Sequence, residues 1–352
     1  MFVSIAIIIL FVVTCGLVFL EEYFGKYKLP IYLFMGMMIV LLAGLREVGV
    51  DPDSENYEYM YRNYYTARVI ENVDFSYIFL SSILNIFTDD VHLLFLLYAL
   101  FGVSLKFIAF RYYSEFWFLP VLVYLSFYYE FHEMTQIRTG ILSGLFLLSL
   151  KSLVEGKKLV YILFVALGSF FHISALLLIP FVFISNRSIS FGRSLFWALL
   201  IPIGYLIYFF SSTVLLQIDI PYIGHKLALY QAATEKGTSN IQIYVFSPRQ
   251  IFTVFIFYYL LYFRDTITAF NKYFPLMIKI FAISLLAFTA LGFLPVLSDR
   301  VSYLYQTVNI ILITNACYTL KPKWAGKLFV CLLAFVYLNY SLPYIFDFHL
   351  LW

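Results

Sequence analysis

LVYILFVALGSFFHISALLLIPFVFI, residues Leu159–Ile184, is the stretch on which the topology turns. Read as one tilted helix, it carries Lys157 and Lys158 to one side of a membrane and Arg187 and Arg193 to the other, and every later loop is inverted. Read as two short arms meeting near His172, it returns the chain to the side it left. Each arm has about 13 residues, or about 20 Å at the helical rise, against about 30 Å of hydrocarbon. The hairpin reading is preferred because it keeps the basic segments KPKWAGK and RDTITAFNK on the same side as the other lysine-rich loops.

The composition around that stretch is that of a polytopic membrane protein. Of 352 residues 63% are hydrophobic and only 12% charged, and 40 Phe and 31 Tyr dominate an aromatic share of 21%. Apolar runs at 1–20, 29–45, 91–110, 194–210, 279–293 and 328–346 each approach the length of a spanning helix. The opening run has no basic leader or small-residue cleavage site and is expected to be a retained helix. Cys15, Cys317 and Cys331 lie in apolar runs and are expected to be packing residues. With the amino terminus outside, the inner side collects fifteen of the 23 basic residues, Lys106 among them, and five of the 20 acids. The expectation is an all-α, single integral-membrane domain over residues 1–352. It has about 12 transmembrane segments, both ends outside, and a broken-helix hairpin near His172. The short run Phe75–Phe87 is expected to lie at the interface or to dip in and return. Long outer loops are expected at 46–74 and 211–247.

Under that topology the unusual polar residues gather on the outer face. Arg46 ends the second helix and is followed by a turn at Gly49, Val50, Asp51 and Pro52. Tyr57, Tyr61, Tyr64 and Tyr65 then share one helical face, which suits an interfacial anchor or a platform for sugar rings. EFHEMTQIRTG, residues 130–140, places Phe131–Glu133 in an outer turn, with Gln136 and Arg138 opening the descending helix. Thr139, Gly140, Ser143 and Gly144 give that helix a small-residue flank for close packing. His172 sits at the break in the hairpin. Asp299 and Arg300 open a further helix, continued by a polar stripe of Ser302, Gln306 and Asn309. Arg46, Arg138 and Arg300 therefore lie on one side, with His132 and His172 at similar depth. Arginine offers a planar fork of donors that remains charged, so an anionic lipid diphosphate is the expected ligand.

These residues resemble the EpsG-like family of bacterial exopolysaccharide proteins, within the broad class of Wzy-type polysaccharide and O-antigen polymerases. The resemblance is carried by Arg46 with Gly49-Val50-Asp51 and the Tyr57/Tyr61 spacing, by Gln136-Ile137-Arg138, by Phe171-His172-Ile173-Ser174-Ala175, and by Asp299-Arg300 with Tyr303 and Tyr305. Pro52 after Asp51 and Thr139 after Arg138 depart from the pattern. The resemblance implies a glycosyltransferase that polymerises undecaprenyl-pyrophosphate-linked repeat units into capsular, exopolysaccharide or O-antigen glycan. It would act at the outer face of the bacterial cytoplasmic membrane, alongside flippase and chain-length regulator proteins. The alternatives are a glycan ligase or a flippase. Arg46, Arg138 and Arg300 are the expected pyrophosphate ligands, and Tyr57, Tyr61, Gln136, Asp299, Tyr303 and Gln306 the expected sugar or lipid contacts. His172 is the expected base, His132 a positioning residue, and Asp51 a further catalytic candidate. No cofactor or metal is expected, since the only Asp-x-Asp letters, at 51–53, enclose a proline in a loop; no nucleic-acid partner is expected.

Overall fold

A computed structural model describes residues 2–71, 73–214 and 244–346, and among these all regular structure is helical. Most of the loop expected over 211–247 lies outside the described residues. Six helices are long and apolar enough to cross a membrane: Phe2–Tyr23, Gly25–Gly44, His92–Tyr113, Ile137–Val154, Phe191–Phe210 and Lys323–Pro343. A bent pair, Pro248–Tyr262 with Arg264–Phe270, makes a seventh if counted as one span. The other apolar runs that entered the sequence count of twelve form shorter helices, such as Phe118–Tyr128 and Phe274–Ala290. The chain divides into two compact units: residues 1–186, 266–273 and 309–352, and residues 187–265 and 274–308.

In the first unit, α1 (Phe2–Leu20), α2 (Lys28–Gly44), α6 (His92–Tyr113) and α8 (Ile137–Val154) are the long helices. Between α2 and α6 come α3 (Ser54–Arg62), the single turn α4 (Ala67–Ile70) and α5 (Phe75–Leu84). On α5 the polar and aromatic residues Ser76, Tyr77 and Ser81 are buried, while Phe75, Phe79 and Ile83 are exposed. An apolar face turned outward on so short a helix is what lipid contact requires, in keeping with an interfacial position. The α6/α8 seam is built on the small residues of α8. A side chain at Gly144 would meet Leu105 Cβ at 2.7 Å, so the backbones can approach only because it is glycine. Tyr113 ties the far end by donating to Leu147 O at 2.7 Å while its oxygen accepts from Lys151 N at 2.9 Å.

The segment expected as an outer turn is not a turn. α7 (Phe118–Val123) runs on into two π-helical stretches, Tyr124–Tyr128 and Glu130–Thr135, in which Tyr129 N bonds to Tyr124 O and Gln136 N to Phe131 O, five residues back. Glu130, Phe131, His132 and Glu133 are all buried. The charge pattern misled because a run of Glu, His and Glu between apolar segments reads as a solvated loop, whereas here a partner for Glu133 waits in the interior. That partner is Lys106, fifteenth in α6, buried and 2.5 Å from Glu133 Oε1. Lys106 is therefore not an inner-side anchor. Tyr124 donates to the same carboxylate oxygen at 2.7 Å, and Lys106 Nζ also donates to Gly140 O at 2.7 Å.

The hairpin is present as a backbone break. α9 (Lys158–Phe171) ends at His172, whose φ of −155° and ψ of 129° are extended, and a 3-10 arm, Ile173–Phe183, follows. Tyr161 donates to Leu178 O at 2.7 Å, and a side chain at Gly168 would lie 3.4 Å from Ala175 Cβ, so the arms pair antiparallel from base to tip. The arms have 14 and 11 residues. At about 1.5 Å per residue for an α-helix and about 2.0 Å for a 3-10 helix they match at roughly 21–22 Å, short of a full bilayer.

The second unit contains α10 (Phe191–Val214), α11 (Pro248–Tyr262), α13 (Phe274–Ala290) and α14 (Pro295–Gln306). α10 lies along α13 with Gly204 against Thr289, and α11 is tied to it by Tyr258, which donates to Ala198 O at 3.0 Å. The chain leaves this unit through α12 (Arg264–Phe270) and again after α14 to form α15 (Asn309–Asn315) and α16 (Lys323–Phe346). Cys15, Cys317 and Cys331 are free thiols, two of them buried.

Two measurements test this account. In a background lacking the three native cysteines, Ser188→Cys should be shielded from an impermeant reagent on intact cells and Asn56→Cys labelled, both positions being exposed on the protein surface; labelling at Ser188 would reverse the hairpin topology. Lys106→Met should destabilise by about 3–5 kcal/mol because it strands a buried carboxylate, and Lys106→Met with Glu133→Gln should recover most of that loss. Equal loss in the single and double variants, read by thermal unfolding in detergent, would remove the ion pair as the cause.

Candidate functional site

Arg46 leaves the end of α2 and turns back into the first unit, where it is buried. Its Nε donates to Asp51 Oδ2 at 2.7 Å, Nη1 to Ala43 O at 2.5 Å and Nη2 to Met134 O at 2.7 Å, and its guanidinium lies 4.1 Å from the Phe95 ring centre. All three nitrogens are engaged by protein, so Arg46 ties α2, the π-helical stretch and α6 together. Asp51 is spent in the same way. Besides Arg46, its Oδ1 accepts from Asp53 N and Ser54 N at 3.2 and 3.1 Å, which folds the loop into the start of α3. Gly49, with φ +92°, makes the turn that allows this.

The first half of the tyrosine stripe faces inward. Tyr57 and Tyr61 are buried, Tyr57 stacking on Tyr77 at 5.8 Å and meeting Phe95 edge-on, while Tyr61 donates to Thr88 O at 2.8 Å. Burial pushes the Tyr57 hydroxyl up to about 12. Tyr57 and Tyr61 belong to the core, Tyr57 also hydrogen-bonding Arg138, while Tyr64 is half-buried and Tyr65, like Tyr59, is exposed. A stripe at i, i+4 marks a face but not which way it points; here the neighbours α5 and α6 supply enough aromatic surface to cover it. Next to this core Asp90, on the loop before α6, is held below the usual carboxylate range by hydrogen bonds from the His92 backbone and ring, and His92 Nε2 lies 3.0 Å from Arg46 O.

His132 is buried, with Nδ1 3.3 Å from Ser143 Oγ and Nε2 without a hydrogen-bond partner. His172 is half-buried, and its Nδ1 accepts from Ser174 N at 3.1 Å, capping the 3-10 arm. An imidazole whose Nδ1 lone pair is taken carries its proton on Nε2 and presents a donor. The cap thus argues against His172 as the proton acceptor.

Arg138 is different. Its side chain keeps 19% of its surface, its Nη1 forms an ion pair with Asp74 Oδ2, a side-chain hydrogen bond joins it to Tyr57, and its Nε has no partner. Asp74 is 13% exposed and its Oδ1 accepts from Ile173 N at 3.2 Å. One carboxylate therefore joins the first turn of α8, the start of α5 and the tip of the broken hairpin. Gln136, half-buried, precedes α8 at φ −113°, ψ 61°. Asp74 escaped the sequence reading because it looks like an ordinary helix-start aspartate. Its side chain makes no cap to α5, a departure only the structure reveals.

The second unit carries the remaining candidates on α14. Arg300 is exposed, Asp299 half-buried, and Tyr303 and Gln306 are buried. Arg249, at the start of α11, stacks 4.9 Å from the Tyr303 ring centre and was not singled out from sequence. Its own helix start is capped by Ser247, whose side chain accepts from Gln250 N at 3.3 Å.

Neither a curated protein nor a solved structure matches this chain. The profile of the EpsG family does, over residues 29–350, a span that takes in the Arg138–Asp74 ion pair, the hairpin and α14. This membrane protein, related to exopolysaccharide production, belongs to the EpsG family.

Proposed function

We propose that the chain is a glycosyltransferase that joins oligosaccharide repeat units carried on a lipid pyrophosphate, undecaprenyl pyrophosphate being the expected carrier, at the outer face of the cytoplasmic membrane. The observation that carries this reading is the state of Arg138: a partly exposed guanidinium, anchored to Asp74 and hydrogen-bonded to Tyr57, with Nε unpartnered. In the transfer, the acceptor hydroxyl attacks the anomeric carbon while the bond from that carbon to the pyrophosphate oxygen breaks. Negative charge grows on the departing diphosphate. A cation already fixed by the protein stabilises that charge without reorganising, and a planar fork matches two phosphate oxygens at once. Arg300, exposed on the second unit, is proposed for the same class of ligand, and Gln136, Asp299, Tyr303 and Gln306 for sugar or lipid contacts on their respective units.

Family membership supports a role in exopolysaccharide assembly, and the single-sided placement of Arg138 and the hairpin tip favours transfer over transport. A flippase would need cations at several depths along a path. The buried Lys106 is instead neutralised by Glu133. A ligase shares the chemistry and is separated by its product. Deleting the gene and analysing lipid-linked glycan should show single repeats accumulating; full-length unligated chains would indicate a ligase, and an unchanged pool would remove both.

Arg138→Lys keeps the charge but loses the fork. Polymer per folded protein should fall roughly tenfold to hundredfold, the worth of one charge-assisted hydrogen bond at about 1.5–3 kcal/mol. Arg46→Lys should act instead on the amount of folded protein, and near-normal polymer from Arg138→Lys would make Arg138 an interface anchor.

A further inference from the structure

We propose that Asp74 is the proton acceptor of this site, held in reserve by Arg138 and released when a diphosphate takes the arginine. The inference rests on the reading of Arg138 given above. Three observations lead to it. The other acid and base candidates of the first unit's polar core are spent or enclosed: Asp51 is bound to Arg46 and two backbone amides, Glu133 to Lys106 and Tyr124, Glu130 and His132 are buried, and His172 caps the 3-10 arm through Nδ1. Asp74 is the carboxylate bonded to Arg138 and keeps part of its surface. It stands at the helix-start position of α5 with φ −64° and ψ 148°, yet its side chain ignores the amides of α5 and reaches across to Arg138 and Ile173.

The exchange follows from charge. A diphosphate brings more negative charge than one carboxylate and offers several oxygens, so it competes for Nη1 as well as the unpartnered Nε. Asp74 Oδ2 then loses its cation, while Oδ1 is still held by the Ile173 amide, which keeps the carboxylate in place beside the donor's leaving group. The acceptor sugar's O–H bond breaks, its proton passes to Asp74 Oδ2, the oxygen forms the new bond to the anomeric carbon, and the lipid diphosphate departs with the electron pair of the broken bond. Asp74 later returns the proton to water and pairs again with Arg138 once the diphosphate leaves. The base is thereby armed only when the donor is bound, which protects the donor from idle proton transfer.

The test uses the full chain in detergent or nanodiscs with inorganic pyrophosphate as probe, together with polymer output in cells lacking the endogenous gene, normalised to folded protein. Asp74→Asn should bind pyrophosphate at least as tightly as wild type, because the competing charge is gone, while polymer output falls about 100-fold or more, the range of general acid–base catalysis. Asp74→Glu should recover part of that output. Output near wild type in Asp74→Asn overturns the assignment. So does loss of pyrophosphate binding in that variant, which would make Asp74 a positioning residue for Arg138. The wild-type protein supplies a measurement independent of any substitution: pyrophosphate should shift a carboxylate band in the infrared difference spectrum, and an unchanged carboxylate region overturns the release. Arg138→Gln separates the two readings. If it binds pyrophosphate as wild type does, the anion site itself fails; if it loses binding while Asp74→Asn remains active, only the role of Asp74 fails.

Discussion

The buried pair of Lys106 and Glu133 is the constraint around which the first unit is arranged. Neither charge could stand alone in an apolar interior, since the penalty for an uncompensated buried ion is several kcal/mol. Together, with Tyr124 and Gly140 O as further partners, they fix three segments at one point: α6 through Lys106, the π-helical stretch through Glu133, and α8 through the Gly140 carbonyl. The glycines follow from this. A side chain at Gly102 would overlap Glu133, and one at Gly140 would overlap the His132 carbonyl. The small residues of α6 and α8 make room for a charge as well as for a close helix crossing.

From that point the geometry of the edge is inherited. Because the π-helical stretch is held by Glu133, Met134 O faces Arg46, and Arg46 in turn holds Asp51 and the loop that leads into α3. Three residues beyond the stretch, in the first turn of α8, Arg138 emerges where Asp74 and the hairpin tip can reach it. Buried ions hold the frame, and a pair of the same chemistry keeps part of its surface at the edge. The difference between Arg46 and Arg138 is therefore one of accessibility and spare donors, not of residue type.

Much of the fold was legible in the sequence, and its limits have physical causes. The break at His172 followed from loop charge alone, because charge distribution reports sidedness even when hydropathy cannot divide a continuous apolar run. The close packing of α8 followed from its small residues. The direction of the tyrosine stripe did not, since periodicity defines a face and only the neighbours decide what covers it. Lys106 and Glu133 are 27 residues apart and on different elements, so each was read by its local surroundings, one as a helix-end anchor and one as part of a turn. Asp74 and Arg138, 64 apart, were hidden for the same reason. Arg138 was found, because an arginine opening an apolar helix is anomalous by itself; an aspartate before a helix is not.

The two π-helical stretches carry a consequence for how this chain tolerates change in length. A π turn is an α turn with a residue to spare, so removing one residue between Tyr124 and Thr135 would let the backbone relax into a more regular helix. Each residue of a regular α-helix turns the chain by about 100°, so a residue lost from α8 would rotate everything on one side of the deletion by that amount. A π turn spends its additional residue within the turn, so its loss leaves the two flanks close to their original register. A residue removed from Tyr124–Tyr128 would therefore leave Glu133 directed at Lys106 and the Met134 carbonyl at Arg46. The i→i+5 bonds mark the place where this chain can shorten with least damage, whereas the regular helices beside them cannot.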